Sequence, residues 1–197
     1  MIVDVDICNK ALKYVGADSI SSLDDNTANA RECKASYDPA RDSVLTDFPW
    51  EFATFIVQPT LIASETLVGW SYLYALPAKC LAVRKLFIDD SSTNPDPIEH
   101  RECISPSTLR RAVAVNFEDP YLEYTHQITD PKLWSTKFAD TLALRIAAEI
   151  GVRVTGRKEE AAEAANRYSN MVSEAKRLDA ASANIKKTKT SSYENAR

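Results

Sequence analysis

The side chains best suited to chemistry in this sequence are those of its four cysteines and two histidines. His100 and Cys103 are separated by two residues, and Cys80 lies upstream of them. A structural zinc site would need a fourth ligand and a second closely spaced pair, and the sequence has no C-x-x-C motif. We therefore expect no metal ion and no other cofactor. The cysteines are interpreted as reduced core residues of a chain made in a reducing compartment, namely Cys8, Cys33, Cys80 and Cys103.

Motifs for nucleophilic catalysis and for phosphate binding are missing as well. The sequence has neither a G-x-S-x-G nor an H-E-x-x-H motif, and its widely spaced glycines cannot form a phosphate-binding loop. The carboxylate pairs Asp24-Asp25 and Glu159-Glu160 stand where helices are predicted to start, and negative charge there stabilises the helix dipole. These observations favour a protein that is not an enzyme. Two carboxylates that flank a glycosidic bond stay open as an alternative, because sequence does not show their separation.

Helices are predicted at both ends of the chain. Apolar residues recur at helical spacing over residues 4–15, and a second helix with its capping residues is predicted over 21–48. Pro39 lies inside this second helix, so we expect a kink or a break there. Toward the C-terminus, a mostly apolar helix with one narrow polar stripe is predicted at 131–154, and another helix at 158–183.

The middle of the chain has a different pattern. Residues 51–130 contain short segments rich in β-branched and aromatic residues, separated by prolines and other turn residues. Strands are predicted within five of these segments, at 52–62, 70–76, 80–88, 111–117 and 121–128. We predict a small, irregular antiparallel sheet that is inserted between the helical parts. The expected fold is α+β but mainly helical. It consists of a four-helix bundle from 1–50 and 131–183, the β-rich insertion, and a flexible, basic C-terminal tail at 184–197.

The C-terminal residues 182–197 differ in composition from the rest of the chain. Four basic side chains against one glutamate, Glu194, give this segment a local charge of +3. Ile185 and Tyr193 are its only sizeable apolar residues. Such a segment cannot bury enough apolar surface to fold alone, so we expect disorder in the free protein. It is either a flexible tail or an arm that becomes ordered on a partner.

The overall charge and hydrophobicity argue against several classes of protein. The net charge is −4, whereas a general nucleic-acid-binding domain is usually strongly positive. The longest uncharged windows span about 13 residues, fewer than the roughly 18 that a membrane span needs. Asp4 and Asp6 follow Met1 closely, so no signal peptide is expected. We expect a chain that is made in the cytoplasm and has no membrane anchor.

A further set of motifs combines helix and sheet residues in a particular order. The N-terminal part reads Cys8-Asn9-Lys10-Ala11-Leu12, Val15-Gly16-Ala17 and Ile20-x-Ser22-Leu23-Asp24-Asp25. It continues with Ala30-Arg31, Cys33, Tyr37, Arg41-Asp42-x-Val44-Leu45 and Phe48-Pro49-Trp50-x-Phe52-Ala53. Two later segments complete the set, Trp70-x-Tyr72-x-Tyr74-x-Leu76-Pro77-x-x-Cys80-Leu81 and Glu174-Ala175-Lys176-Arg177-x-Asp179-Ala180. Together these motifs resemble the tail tubular protein A family, the head-to-tail adaptors of short-tailed, podovirus-type bacteriophages.

The resemblance implies a structural virion protein. Members of the family form a twelve-subunit ring beneath the portal protein and join it to the tail nozzle protein. DNA would pass through this ring during ejection without specific binding, and a weakly acidic channel suits that role because it does not hold phosphates. The implied location is the portal vertex of the virion, at the head-tail interface, after assembly in the cytoplasm of the host bacterium.

Three groups of residues are candidates for contacts within such an assembly. The basic tail is a candidate portal-binding arm, with Ile185, Lys186, Lys187, Lys189, Tyr193 and Arg197. A polar loop is a candidate contact with the nozzle or a neighbouring subunit, through Asp89, Asp90, Asn94 and Asp96. The most apolar helix is a candidate inter-subunit contact, through Leu142, Ile146 and Ile150. Two other functions stay open, a virion-associated hydrolase of peptidoglycan or capsule and a DNA-binding module that uses the basic tail.

Overall fold

The computed structural model of the protein describes residues 3–63, 65–88 and 95–194, with side chains up to Arg177. The chain divides into two compact units. We call them the helical unit, Met1–Phe48 with Asp130–Arg197, and the β unit, Pro49–Thr129.

The regular elements of the described residues follow the order helices, strands, helices. The helices are α1 (Asp4–Tyr14), α2 (Ala28–Asp47), α3 (Thr136–Thr155) and α4 (Lys158–Glu194), with short 3-10 turns at Glu51–Ala53 and Pro131–Leu133. The strands are β1 (Thr54–Val57), β2 (Thr60–Leu61), β3 (Tyr72–Ala75), β4 (Cys80–Phe87), β5 (Arg101–Ile104), β6 (Arg111–Val115) and β7 (Tyr121–His126).

The fold is α+β with substantial sheet, so the prediction of a mainly helical bundle is wrong. About 46% of the chain is helical and 20% is strand, and the strands form two antiparallel sheets. The error has a physical cause. The short apolar segments of 51–130 pair in antiparallel register, with two register shifts between β4 and β7, and build a core of their own. They form two sheets with this core rather than one small sheet on a helical bundle.

Side-chain caps and a glycine define the limits of the helices. Thr27 precedes α2, and its hydroxyl oxygen accepts a hydrogen bond from the N–H of Ala30 at 3.2 Å. Ser135 caps α3 in the same way, through the N–H of Phe138 at 3.2 Å. Gly156 ends α3 in the left-handed conformation, with φ 71°. These caps satisfy backbone groups that the first and last turns of a helix leave unpaired.

Helix α2 continues through Pro39, so the expected break does not occur. A proline inside a helix removes one backbone hydrogen bond and crowds the preceding turn. Nearby ion pairs support the helix here, because the buried guanidinium of Arg41 lies 2.6 Å from Asp38 and 2.9 Å from Asp42. Local pairing and burial therefore compensate for the unfavourable residue.

Helix α3 packs against α1, α2 and α4. Small residues permit a close approach, since a Cβ atom added at Gly151 would lie 2.9 Å from both Ala161 Cβ and Val15 Cγ1. Helix α4, predicted to end near Ala183, extends to Glu194. Glycine and proline commonly end helices, but the sequence contains neither residue after Gly156. The predicted flexible tail is therefore helical in its backbone up to Glu194. Among the described residues no helix is long and apolar enough to cross a membrane.

The β unit consists of two antiparallel sheets that share a hydrophobic core. Their strand orders are β1-β7-β4 and β2-β3-β6-β5. Strand β6 shows the alternation most clearly. Val113 and Val115 face the shared core, whereas Ala112 and Ala114 face the opposite side. The connection between β2 and β3 covers that side with Ile62, Leu67 and Trp70. The central strands β3 and β6 are thus covered on both faces, which explains their apolar composition.

Candidate functional site

The predicted inter-subunit residues of α3 lie in the core of the helical unit. Leu142, Ile146 and Ile150 are each 0% exposed. Burial against the neighbouring helices of the same chain accounts for the apolar character of α3. These three side chains reach no surface from which they could contact another subunit.

The other two predicted contact groups lie mostly outside the described residues. Asp96 is described and exposed. Its three predicted companions in the loop lie outside the described residues, namely Asp89, Asp90 and Asn94. In the predicted arm, only the helical backbone up to Glu194 is described. The remaining features of the arm lie outside the described part of the chain, that is, the side chains of Ile185, Lys186, Lys187, Lys189 and Tyr193 and the whole of Arg197.

The three potential zinc ligands noted in the sequence, Cys80, His100 and Cys103, do not form a cluster in the structure. Cys80 belongs to the core between the two sheets, and Cys103 packs on the opposite face of the four-stranded sheet. The Nδ1 atom of His100 lies 3.3 Å from the carbonyl oxygen of Ile98. Within the described residues, no group of three or more potential metal ligands occurs.

The cysteine thiols are arranged as packing groups. Cys8 on α1 and Cys33 on α2 interact in the core, and both are 0% exposed. The hydrogen bond with Cys33, together with burial, raises the pKa of the Cys8 thiol far above its usual value. Burial also raises the pKa of Cys80 and of Cys103. The three thiols with a raised pKa, Cys8, Cys80 and Cys103, are poor nucleophiles at neutral pH, because the thiolate is the reactive form.

Two carboxylates among the described residues, Asp24 and Glu65, have a shifted pKa, and both shifts are downward. The hydrogen bond from Lys34 lowers the pKa of Asp24. Hydrogen bonds from Ser107 and Ser105 lower the pKa of Glu65. The general acid of a glycosidase needs a pKa that is raised instead, so that it holds a proton at neutral pH. Asp24 and Glu65 are therefore unsuited to that role.

A cavity of about 370 Å³ lies at one end of the β unit. We call it the arginine pocket, because it combines an apolar floor with two arginines: Leu76, Pro77, Ala78, Cys80, Arg110 and Arg111. Nη1 of Arg111 donates a hydrogen bond to the carbonyl oxygen of Cys80 at 2.6 Å, and Nη2 lies 2.8 Å from Glu102. Arg110 is exposed, and none of the ion pairs among the described residues includes it. The pocket can therefore accept a group that is both apolar and anionic.

The turn between β6 and β7 has the opposite charge. Its exposed residues include Phe117, Glu118 and Asp119, and we call it the acidic turn. The backbone of Asp119 is in the left-handed region, with φ 49°, and its N–H donates to the hydroxyl oxygen of Tyr74 at 2.9 Å. Asp adopts this conformation more readily than most residues. The turn therefore presents an aromatic ring and two carboxylates on a backbone that is bonded to the sheet.

The helical unit has a basic groove of about 600 Å³ between α1 and α4. Its lining is Asn9, Lys10, Lys13, Tyr14 and Arg167. Two of its cations are compensated, since Lys10 pairs with Asp140 and Arg167 lies 4.0 Å from Glu163. The hydrogen bond with Asp140 also raises the pKa of Lys10. The guanidinium of Arg167 stacks over the Tyr14 ring, with 5.0 Å to its centroid. The groove is thus only weakly cationic and lacks the charge of a phosphate-binding surface.

Neither the arginine pocket nor the acidic turn was predicted from the sequence. The sequence does contain the residues that form them, namely the adjacent Arg110 and Arg111 and the two acidic residues before Pro120. Each pair alone is typical of an exposed turn. Only the pairing of the strands shows that the two features lie at opposite ends of the same sheet.

Comparison of the chain with models of protein families and with curated protein sequences gives no match.

Proposed function

We propose that this protein is a structural component of a short-tailed bacteriophage virion. It acts as a head-to-tail adaptor, which joins the portal protein to the tail nozzle protein. The proposal rests on the resemblance of the sequence to the tail tubular protein A family.

The observation that carries the proposal is the burial of many of the residues that define this resemblance. Ten of the matching positions in α1, at its C-terminal end and in α2 belong to the core of the helical unit, and each of these is at most 6% exposed: Cys8, Ala11, Leu12, Val15, Ala30, Cys33, Tyr37, Arg41, Val44 and Leu45. Trp50 and Ala53, at the start of the β unit, are equally buried. Buried positions determine how a chain packs, so the resemblance concerns the fold rather than an isolated surface motif.

In this proposal the adaptor forms a twelve-subunit ring at the portal vertex, after assembly in the host cytoplasm. The ring surrounds part of the channel through which DNA leaves the head. The chain has a net charge of −4, and its basic groove is largely compensated. Both features suit a channel that DNA crosses without being retained, because strong binding would need many uncompensated cations.

The two alternatives are less well supported. A glycan hydrolase needs a general acid with a raised pKa, whereas the shifts at Asp24 and Glu65 are downward. A DNA-binding module would depend on the basic tail, whose side chains lie outside the described residues. Salt-dependent binding of duplex DNA by the isolated chain would favour the second alternative.

The direct test is the mass of the purified chain, alone and after mixing with the portal protein of the same phage. Analytical ultracentrifugation measures both. The expected result is a complex that contains one copy of this chain per portal subunit. A chain that never sediments with the portal contradicts the adaptor function. In that case, turnover of purified peptidoglycan or capsular polysaccharide is the next measurement.

A further inference from the structure

We propose that the acidic turn of one copy of this chain docks into the arginine pocket of a second copy. The inference rests on the proposed ring, because it names the subunit contact from which the ring would be built. It concerns the β unit alone, and every side chain that it uses lies within the described residues.

The arginine pocket provides an acceptor with two chemical parts. Its floor is apolar and includes Leu76 and Cys80, which belong to the core of the β unit. Its volume of about 370 Å³ lies within the range of about 300–1,000 Å³ that is usual for ligand pockets. Arg111 is held in place by Cys80 and Glu102, whereas Arg110 is exposed. The acceptor therefore fits an apolar group with a carboxylate beside it.

The acidic turn has the matching composition. The Phe117 side chain is 44% exposed although it is aromatic, and Glu118 and Asp119 follow it directly. None of the ion pairs among the described residues includes either carboxylate. The hydrogen bond from Asp119 N–H to Tyr74 limits the motion of the turn. A turn that is already ordered loses little conformational entropy on binding.

The two features cannot meet within one chain. Strand β6 begins at Arg111, beside the pocket, and runs to Val115, just before the acidic turn. From Arg111 to Val115 the extended backbone covers about 14 Å, at roughly 3.4 Å per residue, and the acidic turn lies beyond Val115. Strand β4 shows the same polarity, because Cys80 pairs with His126 at the pocket end and Phe87 pairs with Tyr121 at the turn end. Only the turn of another copy can therefore reach the pocket.

This placement defines the type of assembly. Two complementary surfaces at opposite ends of the same sheet produce a head-to-tail contact, in which each copy binds one neighbour with its pocket and another with its turn. A head-to-tail contact closes into a ring when the rotation between neighbours is a simple fraction of a full turn. An aromatic anchor in a pocket, bordered by opposite charges, is the usual composition of the centre of such an interface.

Charge reversal tests the contact with the full-length chain. Sedimentation velocity measures self-association up to about 1 mM for the wild type, Arg110→Glu and Glu118→Arg. We expect each single variant to weaken self-association by about tenfold or more, because like charges then face each other. Since every copy carries both surfaces, the double variant R110E/E118R should regain association. An equimolar mixture of the two single variants should also associate, because each surface then meets one of opposite charge.

Matched controls are Arg177→Glu and Glu174→Arg, which reverse the same charges at exposed positions of α4. They should leave self-association unchanged. The proposal is overturned if the wild type stays monomeric at 1 mM, if the single variants associate like the wild type, or if neither the double variant nor the mixture recovers. Circular dichroism verifies that each variant is folded.

Binding to the portal protein separates this inference from the proposed function. If Arg110→Glu still joins the portal with wild-type affinity and stoichiometry, the subunit contact is wrong and the adaptor function stands. If the wild type self-associates as described but does not bind the portal, the contact stands and the adaptor function is wrong.

Discussion

At Gly151, α3 comes very close to its neighbours. An added Cβ atom would lie 2.9 Å from Ala161 Cβ, 2.9 Å from Val15 Cγ1 and 3.3 Å from Ala161 Cα. Real Cβ atoms do not approach other heavy atoms so closely, so a substituted side chain would force the helices apart. At most other helical positions an alanine is preferred to glycine, because glycine costs more conformational entropy.

Gly151→Ala should therefore destabilise the protein. Overpacking costs about 1–3 kcal/mol, and the better helix propensity of alanine returns about 1 kcal/mol. We expect the free energy of unfolding to fall by up to about 2 kcal/mol, as measured by urea unfolding followed by far-UV circular dichroism. In the double variant G151A/A161G the loss should be smaller than the sum of the two single losses, because the clash is relieved. A Gly151→Ala variant that is more stable than the wild type would contradict the interpretation that the helices are tightly packed at Gly151.

His126 should make the stability of the β unit depend on pH. Its ring lies 5.1 Å from that of Phe55, between centroids, and burial together with the nearby Lys79 lowers its pKa from the usual value of 6.5. Between the lowered pKa and 6.5, the unfolded chain binds more protons than the folded one. This contribution to stability is therefore fully present above pH 6.5 and is lost as the pH falls through the lowered pKa.

NMR titration of the two histidine rings measures this effect, and His126→Gln assigns the resonances. The His126 resonance should titrate below pH 6.5. Urea midpoints of the wild type should fall between pH 7.5 and pH 5, and the fall should be smaller in His126→Gln. A His126 pKa at or above 6.5 would be inconsistent with the structure.

Among the elements, α2 shows how tertiary packing overrides a local signal. Pro39 predicts an interruption, yet the helix extends from Ala28 to Asp47. Its residues Val44 and Leu45 are at most 1% exposed. Burial of such side chains is worth about 1.5–3 kcal/mol each, enough to outweigh a proline that costs about 3 kcal/mol.

Pro39→Ala should consequently stabilise the protein. The alanine supplies the missing N–H donor within the helix and removes the clash with the preceding turn, while the unfolded chain gains about 0.4–1 kcal/mol of entropy. We expect a net gain of about 2 kcal/mol in the free energy of unfolding. Pro97→Ala, at an exposed position outside the helices and strands, is the matched control and should have little effect. A lower urea midpoint for Pro39→Ala than for the control would refute the argument.

For the whole molecule, the distribution of charge is more informative than its total. The net charge of −4 by itself suggests that the electrostatic field is weak over the whole surface. In the β unit, however, the exposed carboxylates of the acidic turn and the arginines of the pocket lie at opposite ends of β6. The two ends of the β unit therefore differ in charge and are complementary to each other. Head-to-tail assembly needs two such complementary surfaces on every copy.

The C-terminal segment can be tested at the same scale. Deletion of residues 182–197 should change the free energy of unfolding by less than about 1 kcal/mol, because the segment has few apolar residues. The same deletion should weaken docking onto the portal, as measured by sedimentation of the mixture. Equal docking of the truncated and complete chains would show that this segment is not the portal-binding arm.

Local patterns in the sequence were sufficient for much of the fold. Within the part of the chain that the structure describes, helical periodicity located the four helices, and β-branched and aromatic segments located most of the strands. Strand β5 was missed, because it lies at the edge of its sheet and its residues are mostly exposed and charged, as in Arg101 and Glu102. The amount of sheet was underestimated for a related reason, since short segments reveal their pairing only through partners that are distant in sequence.

Local sequence patterns did not predict which side chains lie together on the surface of the protein. An apolar stripe indicates that a helix is buried, but it does not say whether the partner is the same chain or another subunit. For Leu142, Ile146 and Ile150 the partner is the same chain. Similarly, Arg110 and Glu118 are close in sequence, and only the direction of β6 separates them. Residue type determines what a side chain can bind, whereas the packing of strands and helices determines which side chains face solvent together and can bind a partner.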